Sequence, residues 1–264
     1  MNDSHQNDID YRETSLFGIP IAGVNPEDAL DIVEKAVISR QKLHIGVVNA
    51  AKIVNMGKNP ELRDSVLESD IIFADGMSVV WASKILGTPL PSRVTGIDLM
   101  FGMLARADRA NFRVYLLGAT DEVLNQVRGN IAKDYPGCTI AGFHNGYFSA
   151  EEEEDIARNI KESGPDILLV AITSPKKENF LGKWAHLIDT PVCHGVGGSF
   201  DVYAGKVKRA PELWQRLGLE WLYRVLQEPG RMWKRYLFTN AAFLTLILKE
   251  RTKNKHREHH AQRP

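Results

Sequence analysis

Five short, mostly apolar runs punctuate the chain: Leu43–Val48, Asp70–Ala74, Arg113–Gly118, Asp166–Thr173 and Pro191–Val196. Their length and lack of polar alternation suit strands buried on both faces of a sheet. Between them, apolar residues recur at helical spacing over Pro26–Arg40, Glu61–Ser69, Ser78–Leu86, Ile97–Ala107, Asp121–Asp134, Glu151–Ser163 and Lys177–Ile188. Strands alternating with helices predict an α/β fold, a Rossmann-like and mostly parallel sheet with helices on both faces. Helix starts are marked where expected. Asn25-Pro26 reads as a cap followed by proline at the first helical position, and Thr120-Asp121 and Ser149 precede acidic first turns.

Beyond Gly205 the pattern changes. Ala210–Glu228 and Arg231–Lys249 each read as an amphipathic helix, with Pro229-Gly230 as the break between them. The longest apolar stretch, Leu237–Leu248, has 12 residues and includes Thr239, Asn240 and Thr245. A bilayer needs about 20 apolar residues, so this helix does not cross one. It either lies in a membrane interface or packs on the core. The expected organisation is a polar tail over 1–16, an α/β catalytic core over 17–205, a basic helical appendage over 206–250 and a disordered tail over 251–264.

Composition sharpens this division. Formal net charge is zero, yet residues 206–264 hold 14 basic and 5 acidic residues, a balance of +9, against 19 and 28 before them, a balance of −9. A basic segment on an acidic body points to an anionic partner: membrane lipid, a pyrophosphate or nucleic acid. The polar start MNDSHQNDID has no signal-peptide pattern, which predicts a cytoplasmic protein. Cys138 and Cys193 lie in apolar runs and read as buried free thiols. His256, His259 and His260 fall in the tail and read as part of a frayed end rather than a metal site.

In an open parallel sheet, ligands bind beyond the carboxyl ends of the strands. Asp75 follows such a strand, where a carboxylate either acts as a general base or caps the next helix. Gly195, Gly197 and Gly198 follow another, and their N–H groups suit an anion; Gly118 opens a similar turn. Lys176 and Lys177 stand at a helix start, where cations are unfavourable for the helix and an anionic ligand would explain them. No GxGxxG or GxxxxGK[ST] occurs, so neither a dinucleotide enzyme nor a P-loop ATPase is supported. The one DxD, Asp8-Ile9-Asp10, lies in the polar tail and is a poor metal site. No cofactor is required by these residues, and a divalent metal stays open.

The segments VVNAAKIV (Val47–Val54), ADG (Ala74–Gly76), VTGIDL (Val94–Leu99), LLGA (Leu116–Ala119) and SPKKE (Ser174–Glu178) occur in order. They are followed by the long block GVGGSFDVYAGKVKRAP (Gly195–Pro211) and by GLEWLYRVLQEPGR (Gly218–Arg231). In these the chain resembles the WecG/TagA/CpsF glycosyltransferase family, from about Phe17 to Tyr236. The resemblance implies inverting transfer of a sugar from a UDP-sugar donor to a saccharide on polyprenyl diphosphate, at the inner face of the cytoplasmic membrane. It implies Asp75 as the base. It places Asn49, Gly118, Lys177, Glu178, Gly195, Gly197, Gly198 and Asp201 on the donor side. Arg209, Arg224, Arg231, Lys234 and Arg235 would face the acceptor diphosphate or anionic lipid.

Two positions depart from the common family pattern: Val47 stands where many members have Thr, and Lys177 where many have Gln. Both weaken the case for N-acetylmannosamine, or its uronic acid, as donor. They suggest the exopolysaccharide glucosyltransferase branch, with UDP-glucose as donor. A non-catalytic nucleotide-binding protein with a membrane-seeking tail is the rival of another class. Nucleic acid is not expected, because Trp214, Trp221, Tyr223, Trp233 and Tyr236 are spaced for helix packing. An oligomer is possible.

Overall fold

The computed structural model describes the chain from Tyr11 to Ala261, without the side chains at 231, 232, 235 and from 254 onward. Asp8-Ile9-Asp10 and the tail histidines' side chains lie outside that description, as do those of Arg231 and Arg235. The chain begins with a hairpin, β1 (Glu13–Leu16) and β2 (Ile19–Ala22). Phe17 and Gly18 join them with φ of 55° and 70°. Positive φ at both central residues is the type I′ geometry that matches strand twist.

Six parallel strands follow: β3 (Leu43–Val48), β4 (Ile71–Ala74), β5 (Arg113–Gly118), β6 (Thr139–His144), β7 (Ile167–Ala171) and β8 (Val192–Gly195). Their spatial order is β4-β3-β8-β7-β5-β6, with every pairing parallel. The helices between them are α1 (Pro26–Ser39), α2 (Ala50–Met56), α3 (Pro60–Leu67), α4 (Met77–Ile85), α5 (Gly96–Ala110), α6 (Asp121–Asp134), α7 (Glu153–Ser163) and α8 (Lys176–Ile188). The α/β reading is therefore correct, and the five anticipated strands are all present. The hairpin, β6 and α2 are additions.

Alternate strand residues point to opposite faces. Ile45, Phe73, Leu116 and Leu169 join residues of α1, α5 and α6 in one buried cluster. Across the sheet, Val48, Ile72 and Ala74 meet α2, α3 and α4, while Leu117, Leu168 and Val170 meet α7 and α8. Both faces are covered, as a parallel sheet requires. The start of α1 is a full capping box. Asn25 accepts from the Glu27 and Asp28 amides, Asp28 answers to the Asn25 amide, and Pro26 occupies the first turn.

Past β8 the chain forms α9 (Ser199–Tyr203), α10 (Glu212–Arg216), α11 (Glu220–Gln227) and α12 (Pro229–Ala261). Two boundaries differ from expectation. The helix anticipated over Ala210–Glu228 is two short helices, because Gly218 turns the chain at φ 69°. A Cβ at Gly218 would lie 2.6 Å from Met77 Cβ, so the turn is pressed against α4. The last helix is longer than the amphipathic pattern. It starts at Pro229, a residue suited to a first turn, and continues to Ala261 over a stretch read as a disordered tail. α12 buries Phe243 and Ile247 in the cluster that contains α2, and Phe243 meets Phe17 of the hairpin turn edge-on at 5.6 Å.

Candidate active site

Chain direction at the carboxyl edge of the sheet diverges around β3. The connection from β3 runs outward to β4, while β8 lies on its other side. Asn49, Asp75 and the Gly195–Gly198 turn extend from these three adjacent strands. That crevice is where an open α/β sheet binds its ligand.

Asp75 is fixed by its backbone, whose N–H donates to the Val48 carbonyl at 2.8 Å. The next helix, α4, is capped at Gly76 with no side-chain bond, so the Asp75 carboxylate is not spent on capping. It is half-buried. Burial raises its pKa above the ordinary carboxylate value, with Glu220 adding to the effect. Lys52, Arg224 and the Gly96 amide oppose it. A carboxylate held partly dehydrated among cations is suited to accept a proton near neutral pH.

Beside it lies a buried charge cluster. Glu178 Oε1 is 3.2 Å from both Lys52 Nζ and Lys177 Nζ. The Glu178 side chain is 5% exposed, and those of Lys52 and Lys177 are 15% and 11% exposed. Burial alone would raise Glu178; the two lysines outweigh it and lower the pKa. Burial, with Lys52 adding, lowers Lys177, against the pull of Glu178 and Asp75. Lys177 reaches this position because residue 195 is glycine. A Cβ there would stand 2.6 Å from Lys177 Cδ and Nζ. Gly195 thus makes room for a cation.

The cradle reading applies to the next two glycines. Gly197 has φ 53°, nothing stands within 4 Å of a Cβ at Gly197 or Gly198, and neither N–H has a backbone acceptor among the described residues. Asp201 follows on α9, where its carbonyl accepts from the Lys206 and Val207 amides. Asn49 caps α2 by accepting from the Lys52 amide at 3.0 Å, which ties Lys52 to the strand end.

Other anticipated residues stand elsewhere. Gly118 is four strands from β4, roughly 19 Å along the sheet. Its glycine identity is explained by contact, since a Cβ would lie 2.4 Å from the Ala171 carbonyl oxygen. Lys176 donates to the Phe148 carbonyl at 2.7 Å and sits 3.9 Å over the Phe148 ring. The two cations at the start of α8 therefore have protein partners, and an anionic ligand is not needed to explain them. Arg209 pairs with Asp98 at 2.6 Å and with Glu220 at 3.7 Å, and Arg93 holds the same Glu220 at 2.6 Å. Arg209 thus joins the appendage to the start of α5 by charge, while its Nε and Nη2 make no hydrogen bond among the described residues. Arg224 and Lys234 are exposed, and Arg224 lies within electrostatic reach of Asp75. Among the described residues no three His, Cys, Asp or Glu converge as metal ligands.

Lys52, Gly96, Arg93, Asp98 and Glu220 belong to the site or its frame and were not singled out in the sequence. Lys52 and the Val94–Leu99 stretch lay inside the quoted motifs, which was their only signal.

Fold and crevice define an α/β protein with a candidate site at the sheet's carboxyl edge, and a family model described as glycosyl transferase WecG/TagA/CpsF family matches residues 14–257. The chain belongs to this family and is a glycosyltransferase. It is similar to an N-acetylglucosaminyldiphosphoundecaprenol N-acetyl-beta-D-mannosaminyltransferase of Bacillus subtilis strain 168, 35% identical over 90% of this chain and 93% of the relative. A protein of the same name from Bacillus spizizenii W23 is 40% identical over 73% of each chain.

Proposed function

We propose that the protein transfers N-acetylmannosamine from UDP-N-acetylmannosamine to N-acetylglucosamine carried on undecaprenyl diphosphate, with inversion. The placement of Asp75 carries the mechanism, and the relatives' names support the substrates. The acceptor hydroxyl oxygen attacks the anomeric carbon while Asp75 takes its proton. The bond from that carbon to the β-phosphate oxygen breaks, and UDP leaves with the electron pair. The Gly197 and Gly198 amides and the cationic side of the Lys52–Lys177 cluster suit the charge that develops on the leaving group.

This replaces glucose as the donor, and the exopolysaccharide setting that accompanied it has no support in those names. The departures behind glucose also weaken on structural grounds. Val47 packs against the α1–α5 core, so its side chain answers a packing demand. Lys177 is paired with Glu178 within the protein, so its presence is explained without reference to the donor sugar. Incubation with lipid-diphosphate-linked N-acetylglucosamine and a panel of UDP-sugars is the test. We expect kcat/KM for UDP-N-acetylmannosamine to exceed that for UDP-glucose by about 10-fold or more, the lower end of what the fit of one substituent in a pocket contributes. The reverse order restores glucose.

The appendage supports peripheral attachment to an anionic membrane. Among the described residues no helix is long and apolar enough to cross one. α12 packs one face on α2, yet Trp233, Leu237, Leu244 and Leu248 form an exposed apolar stripe, with Phe238 71% exposed nearby. Each Lys or Arg near an anionic surface contributes about 1 kcal/mol. Replacing Arg231, Lys234 and Arg235 by Ala should weaken binding to phosphatidylglycerol vesicles by up to about 100-fold at low salt, less at 0.5 M. Unchanged vesicle sedimentation would remove the electrostatic contribution.

A further inference from the structure

Next to Asp75 the fold leaves an apolar surface uncovered. α4 starts at Met77, two residues past Asp75, and Met77, Trp81 and Ile85 follow four apart on one face of it. Met77 is half-buried, while Trp81 and Ile85 are exposed. At about 1.5 Å per residue, that face leads roughly 12 Å away from the strand end.

α10 adjoins the same face. Its Leu213 and Leu217, again four apart, are 66% and 54% exposed, and the helix buries none of its residues. Glu212 and Arg216 pair with each other at 2.6 Å, so the polar side of α10 is satisfied within itself and the leucines are left over. The two helices meet where the chain leaves α10. A Cβ at Gly218, the residue after Leu217, would stand 2.6 Å from Met77 Cβ and 3.3 Å from Trp81 Cη2. The bare backbone there brings the end of α10 against the outer face of α4. Single exposed apolar residues need no explanation, but Trp81, Ile85, Leu213 and Leu217 gathered on two adjoining helices do.

We propose that this α4–α10 surface is an acceptor subsite that takes the first isoprene units of a polyprenyl diphosphate. The inference rests on the acceptor reading given above, in which the sugar hydroxyl lies at Asp75 and the lipid is tethered to that sugar through a diphosphate. A hydrocarbon chain leaving Asp75 then crosses the protein surface, and the face from Met77 to Ile85 gives it an apolar path that begins at the crevice. The half-buried start of that path suits one chain better than a flat bilayer or the face of a second protein. Met77 and the Trp81 ring suit a flexible, branched chain, because apolar burial asks for area and not for directed bonds.

The test compares two acceptors, N-acetylglucosamine diphosphate carrying one isoprene unit and the same head group carrying three, each below its micelle concentration and without membrane. Acceptor KM is read for full-length wild type and for Trp81→Gln combined with Leu217→Gln. Ile85→Gln combined with Leu213→Gln is a second pair, farther from the Gly218 contact, and thermal unfolding checks that both fold. Wild type should have a KM at least about 10-fold lower for the longer acceptor, a gain within what two buried methylene groups supply at about fourfold each. In either pair of variants that ratio should fall to about threefold or less, as apolar contact is lost. Equal KM values in wild type overturn the proposal, as does a ratio that the variants leave unchanged. If variants with an unchanged ratio lose sedimentation with phosphatidylglycerol vesicles, the surface is a bilayer contact; if they change elution volume on size exclusion, it is a contact between copies. Failure of both pairs to fold makes the surface structural and also overturns the subsite. Wild type that turns over neither acceptor discards the acceptor reading itself, whereas turnover of both with equal KM discards only the subsite.

Discussion

Replacing Asp75 by Asn is expected to lower kcat about 100-fold or more while UDP binding, measured by calorimetry, stays nearly intact. Asparagine keeps the size of the side chain and its capacity to accept a hydrogen bond, but it cannot take the acceptor's proton. Asp75 is the one strand-end carboxylate in the crevice that is neither a helix cap nor part of an ion pair among the described residues. The wild-type rate should fall as pH drops through a limb lying above the ordinary carboxylate range, because burial raises that pKa. Arg224 opposes the rise, so Arg224→Ala should move the limb to higher pH. Arg224 is exposed, so the movement should be greatest at low ionic strength. Near wild-type turnover by Asp75→Asn would remove proton abstraction from the mechanism.

Asp75 was legible because strand ends are legible. Five buried runs mark five strands without reference to anything distant, and the residue after each is then nominated by topology alone. β6 was not visible, because it is the edge strand of the sheet and only partly buried. Its Gly142 leaves space for the Tyr115 ring, where a Cβ would stand 2.6 Å away. The hairpin turn Phe17-Gly18 lacks the Asn-Gly or Asp-Gly that usually signals such geometry. In the appendage, the apolar spacing was read correctly as helical, but Gly218 breaks it for a tertiary reason, contact with Met77.

Side-chain partnerships were the least legible level. Lys177 read as a cation awaiting an anion, and the partner is its own neighbour Glu178, joined by Lys52 from another strand-to-helix connection. Arg209 read as a ligand for diphosphate, and the fold adds what the sequence did not show, its ion pairs with Asp98 and Glu220. Charge counts show that cations are present; only the fold shows which of them are already satisfied.

That distinction sets the largest stability effect. Glu178→Ala should destabilise the protein by about 3–5 kcal/mol, because it leaves two largely buried lysines without their shared carboxylate. For a chain of this size, that lowers Tm by roughly 10 °C. The effect should depend on pH in wild type. Glu178's folded pKa lies below its unfolded value of 4.5, so its contribution is present above that value and is lost as pH falls through the folded pKa. The cost comes from stranded charge rather than from lost volume, so adding Lys177→Met should recover part of it. A double-mutant cycle between positions 177 and 178 should give a coupling of about 1–3 kcal/mol. Additive losses, or a Glu178→Ala penalty below about 1 kcal/mol, would mean that water enters the cluster and screens it. In that case Lys52 would hold the Asp75 pKa down less, and the acidic limb of the reaction would lie at higher pH.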